Sequence, residues 1–107
     1  MSVTRLVEFA NSPDEVLAAA VEIAFTIGKV RKTDKISRTL VALVKKGVDL
    51  AWEPVSLHVK IEVLSDRSAL LAEAIQNQTD GSPDQRNKGL DVFVSYVKRR
   101  KDLTILD

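Results

Sequence analysis

Acid–base chemistry in this chain would have to begin at His58, the only histidine among 107 residues. A general base needs a nucleophile and an orienting acid within hydrogen-bond reach. The acid that shares its face of the surrounding segment, Glu62, lies about 13 Å away in an extended chain, so spacing supplies neither partner and His58 reads as a solvated residue. Asp49 with Glu53, and Glu62 with Asp66, have the spacing of ordinary surface acids, and no calcium-loop pattern is present. The chain has no cysteine, which excludes thiolate catalysis, disulfides and cysteine-rich zinc sites. Its glycines are isolated, with neither GxGxxG nor GxxxxGK among them, so no phosphate-cradling loop is expected. These observations predict a protein that is not an enzyme, with no catalytic residue, metal, cofactor or small-molecule substrate.

What remains is charge. A formal net charge of +1 conceals a segregation along the chain. Lys29, Arg31, Lys32, Lys35, Arg38, Lys45 and Lys46 fall in one interval opposed only by Asp34, and Arg86, Lys88, Lys98, Arg99, Arg100 and Lys101 form a second basic zone. Asp49, Glu53, Glu62, Asp66, Glu73, Asp80 and Asp84 dominate between them. The first interval is the candidate contact surface. It suits an acidic protein partner, another copy of the chain included, or a phosphate backbone. No aromatic residue is interleaved to stack bases and no Asn or Gln stands among the cations to read a base edge. The favoured expectation is therefore a protein-interaction or regulatory adaptor module working through charge-complementary surfaces. The alternative is a small nucleic-acid-binding regulator. Trp52 is a candidate interface anchor, although tryptophan more often closes one end of a core.

The elements that must position these residues are unevenly marked. Residues 12–28 carry a start signal, a core pattern and a stop. Ser12 and Glu15 form a capping box, Pro13 falls at the first helical position, and Gly28 fits the helix end. Polar residues Glu15, Glu22, Thr26 and Lys29 share one narrow stripe, so this helix should be central. A second helix is expected over residues 35–46, with Ile36, Leu40, Val41, Leu43 and Val44 inward and Gly47 after it. Strict alternation predicts a strand over Val55–Val63, with His58 on its polar side. Ser65 or Asp66 caps a third expected helix reaching Asn77, with Leu70, Leu71, Ala74 and Ile75 inward. Residues 2–10 lean to strand, residues 77–89 read as a polar loop or linker, and DVFVSYV at residues 91–97 reads as a buried strand. The expected fold is α+β, three helices packed on a small sheet, as a single compact domain with a polar linker before the last strand. In domain terms residues 1–78 form the module, 79–90 the linker, and 91–107 a terminal strand segment or the start of a further domain.

No apolar run reaches the roughly 20 residues of a membrane span and the amino terminus lacks a secretory pattern, so the expected setting is cytoplasmic with no membrane partner. At residues 90–107, LDVFVSYVKRRKDLTILD, the chain resembles the opening of a Toll/interleukin-receptor (TIR) domain. Asp91, Val92, Phe93, Val94, Ser95 and Tyr96 match that domain's first buried strand, and Lys101, Asp102, Leu103, Leu106 and Asp107 are similar to the charged loop and helix start after it. The resemblance implies an amino-terminal module joined to a signalling or defence domain. It covers under a fifth of the chain and none of the later strands or the downstream glutamate of nicotinamide-cleaving members, so no such activity carries over.

Overall fold

The structure, a computed structural model, describes residues 2–44, 55–75 and 83–106. In chain order its elements are β1 (Ser2–Phe9), α1 (Pro13–Ile27), β2 (Gly28–Asp34), β3 (Thr39–Val44), β4 (Val55–Val63), β5 (Ser68–Ile75), α2 (Pro83–Arg99) and β6 (Ile105–Leu106). The strands form one antiparallel sheet in the order β2-β3-β4-β5-β1-β6. Both helices lie on the same face. α1 covers β2 to β5 and touches α2, which covers β1, β4 and β5.

Alternation along the strands explains this layering. Leu40, Ala42 and Val44 on β3, Leu57, Val59 and Ile61 on β4, Leu70, Ala72 and Ala74 on β5, and Val7 and Phe9 on β1 are all buried beneath the helices. Alanines at 42, 72 and 74 leave room for a helix that itself presents Ala19, Ala20 and Ala24. The helix α1 begins as expected. Glu15 N–H donates to Ser12 Oγ at 3.3 Å and Ser12 N–H to Glu15 Oε1 at 3.4 Å, closing the capping box.

Gly28 ends α1 as expected, its N–H donating to the Ala24 carbonyl. Its φ of −178° is extended, and it is glycine because a Cβ there would lie 1.8 Å from the Leu43 carbonyl oxygen. The chain turns from helix to strand at a point where only hydrogen fits.

Three expected elements are of the other type, so the fold is two helices on a six-stranded sheet rather than three helices on a small one. Of the helix expected over residues 35–46, the described part, residues 35–44, is not helical. Lys35 to Arg38 are a hairpin turn and Thr39–Val44 is β3, because the continuous apolar run from Leu40 to Val44 fits a period of two as well as a helical stripe, and the strand buries Leu40, Ala42 and Val44. The third expected helix is β5: SALLAEAI is rich in helix formers, but pairing on both sides, with β4 and with β1, overrides intrinsic preference. DVFVSYV is helical within α2. Leu90, Phe93 and Val97, spaced i, i+3 and i+7, are each no more than 1% exposed, a helical period hidden in β-branched composition. Residues 83–89, expected as loop, are the first turns of that helix. α2 is tied to β1 by Arg5 and Asp91 at 3.6 Å.

One residue fastens the two ends of the described chain. Asn11 Nδ2 donates to the Asp102 carbonyl at 2.8 Å and its Oδ1 accepts from Thr104 N–H at 2.7 Å. Buried Ser68 donates to the Asn11 carbonyl at 2.8 Å, and Ala10 N–H to the Thr104 carbonyl at 2.9 Å.

Candidate interaction surface

Of the basic residues singled out by the sequence, Lys29, Arg31 and Lys32 stand on a sheet edge rather than a helix face. Among the described residues β2 pairs only with β3, leaving its other side free. Lys29, Arg31 and Lys32 are exposed along it. Lys29 opposes Leu43 and Lys32 opposes Val41, on the face turned away from the helices, and the register shifts between Val30 and Lys32, so Arg31 is the extra residue of a bulge. Lys45, Lys46 and Trp52 lie outside the described residues.

The turn that ends this edge is rigidly specified. The Asp34 carboxylate accepts from Ile36 N–H at 2.9 Å and Ser37 N–H at 3.3 Å. These bonds, Ser37's first, hold its carboxyl below the usual carboxylate range. Arg38 closes the turn at φ 55°, the left-handed region, and its carbonyl accepts from Ile61 N–H at 2.9 Å. Its guanidinium is therefore drawn back toward α1, with Nε 3.6 Å from Asp14 Oδ1. Lys35 stays exposed. Of the seven predicted contact residues, the structure brings Lys29, Arg31, Lys32 and Lys35 to one solvent-facing edge and withdraws Arg38 into an ion pair.

His58 does acquire an acid, one that spacing did not offer. On the uncovered face of the sheet the register sets Val41, His58, Glu73 and Thr4 side by side across β3, β4, β5 and β1. The sequence does not place Glu73 beside His58, because the segment that carries it reads as a helix. The row does not assemble a nucleophile and base: Glu73 stands between His58 and Thr4, which are two strand spacings, about 9.6 Å, apart, beyond the ~3 Å a proton transfer needs. Thr4, Thr39, His58, Lys60, Leu71 and Glu73 surround a shallow depression of about 270 Å³. No cluster of three potential metal ligands occurs among the described residues. No described helix is long and apolar enough to cross a membrane.

Two helices on one face of a six-stranded antiparallel sheet give this chain a Bet v 1-like fold neighbour. A solved structure of that kind, described as "Crystal structure of Ara h 8.0201", is similar to this chain with a TM-score of 0.60 and 12% identity, over 90% of this chain and 94% of that one. At that identity the likeness concerns the fold alone. No protein-family model and no curated protein matches the sequence.

Proposed function

We propose that this chain is a non-enzymatic protein-interaction module, acting in the cytoplasm, whose basic sheet edge takes up an acidic extended segment of a protein partner. The observation that carries this reading is the run of Lys29, Arg31 and Lys32 exposed along β2, a strand with one free side among the described residues. An added strand would gain main-chain hydrogen bonds from that side, and carboxylates on it would meet three cations. The same cations deter neutral or basic strands, and two β2 edges set against each other would place cation beside cation. The edge therefore selects for negative charge.

The test is fluorescence anisotropy with a labelled peptide alternating Glu and Val, against a Lys–Val peptide and random duplex DNA. The acidic peptide should bind, the basic one should not, and Arg31→Glu with Lys32→Glu should weaken binding at least tenfold. Absence of acidic-peptide binding would overturn the reading. Duplex binding with a steep salt dependence would replace it with nucleic-acid recognition.

A further inference from the structure

The two faces of the β2 edge differ. Successive side chains of a strand point to opposite sides. Lys32 opposes Val41 on the uncovered side of the sheet, whereas Thr33 opposes buried Leu40 on the side that carries α1. There Thr33, the helix and the β2–β3 turn enclose a groove of about 780 Å³. Its apolar lining is Leu17, Ala18 and Val21 from α1 and Ile36 from the turn. Ala18 and Val21 begin an outward stripe on α1, continued by Phe25, that the fold leaves partly bare, and Ile36 is 92% exposed. The acids on the rim are already paired. Asp14 Oδ1 lies 3.6 Å from Arg38 Nε, and Glu22 Oε2 lies 2.9 Å from Arg100 Nη1. Lys35, also on the rim, has no ion pair among the described residues, so with Arg100 counted the groove is bordered by a net positive charge.

We propose that this groove is the specificity pocket for the acidic segment: once the segment is added to β2 as a strand, its carboxylates lie on the uncovered side beside Lys32, and an aromatic side chain one position along turns into the groove against Leu17, Ala18 and Ile36. The inference rests on the edge-docking reading above and narrows the partner to a segment in which acidic residues alternate with an aromatic anchor. Thr33 belongs both to the edge strand and to the groove wall, so no described element stands between the two. An added strand would lie about 4.8 Å from β2 with the same alternation of sides. A residue opposite Lys32 then faces a cation, and its neighbour opposite Thr33 faces the groove. A cavity of this size falls within the roughly 300–1,000 Å³ of pockets that hold whole small molecules, so a bulky ring fills it better than valine or serine. The paired rim acids do not repel the flanking carboxylates, and Lys35 attracts them. Affinity then comes from the seated ring and selectivity from charge.

Fluorescence anisotropy of the full chain with two labelled peptides tests this, Glu-Ser-Glu-Phe-Glu-Ser-Glu and the same peptide with Ser in place of Phe. The Phe peptide should bind about tenfold more tightly, the scale of one hot-spot side chain. Ala18→Gln, which fills the groove with a neutral polar chain, and Ile36→Ser should each remove most of that advantage while leaving the Ser peptide's affinity unchanged. Both positions are exposed, so circular dichroism should not change. Arg31→Glu with Lys32→Glu should weaken both peptides alike. Equal affinities for the two peptides, or a Phe advantage that survives both groove variants, would overturn the groove proposal and leave the edge reading standing. Binding of neither peptide would overturn both. Phe-peptide binding indifferent to Arg31→Glu with Lys32→Glu would overturn the seating on β2.

Discussion

Replacing Gly28 by alanine tests how the basic edge is held in place. The position is extended, with φ at −178°, so alanine meets no backbone strain there and the whole penalty is one of room. Its Cβ would lie 1.8 Å from the Leu43 oxygen and 2.9 Å from the Leu43 carbonyl carbon. Both are backbone atoms of the paired strand, which no rotamer change can move aside. The strands must part by more than about 1 Å to restore ordinary contact, which takes the ladder bonds around Gly28 and Val44 beyond hydrogen-bond range. Losing one or two such bonds at about 0.5–1.5 kcal/mol each and overpacking at about 1–3 kcal/mol outweigh the ~0.4–1 kcal/mol that alanine contributes by restricting the unfolded chain. The net expectation is a loss of about 2–4 kcal/mol, or roughly 10–20 °C in Tm for a domain of this size. Urea unfolding followed by circular dichroism measures it, and hydrogen exchange should show loosened amides along β2 and β3. A variant within about 0.5 kcal/mol of the parent would refute the packing argument.

Other outcomes follow from the same geometry. Asn11→Ala removes two short bonds to the segment after α2 and should cost about 1–3 kcal/mol in chemical denaturation, with early exchange of the Thr104 amide. Phe93→Ala, at a position 1% exposed, should cost about 3–5 kcal/mol, whereas His58→Ala on the open sheet face should change stability by less than about 0.5 kcal/mol. The carboxyls of Glu15 (bonded by Ser12), Asp34 (by Ser37 and Ile36), Asp66 (by Arg67) and Asp102 (by Arg100) are held below their ordinary range. A folded-state pKa below the unfolded one adds stability that is present above the unfolded value and lost as pH falls through the folded one. Urea midpoints should therefore hold steady above about pH 5 and decline below about pH 4, and a rise on acidification would contradict the assigned hydrogen bonds.

What could be read in the sequence was whatever local chemistry decides. Ser12, Pro13 and Glu15 announce the start of α1 because a capping box is complete within four residues, and β4 declares itself because its alternation has no competing period. The apolar pattern of residues 36–44 fits both periods, and the partners that choose between them, β2 and β4, are supplied only by the fold. β5 is a strand made of helix-forming residues, and α2 a helix whose inner face is written in Phe and Val. The cations at 29, 31 and 32 were legible as charge, but their setting on a free edge was not, because it follows from the misread hairpin. Glu73 beside His58 was invisible for the same kind of reason. The outward stripe on α1 was present in the sequence as an excess of apolar residues, and it read as deep burial because nothing local tells a covered flank from a bare one.

The central claim is that the working surface of this protein is the cationic edge of its sheet. Backbone amide shifts recorded while an acidic extended peptide is titrated into the chain test it most directly. The largest changes should follow β2, at Lys29, Val30, Arg31 and Lys32, with slowed hydrogen exchange there as a strand is added. Changes centred instead on the depression around His58 and Glu73, or no change at β2 at saturating peptide, would contradict it.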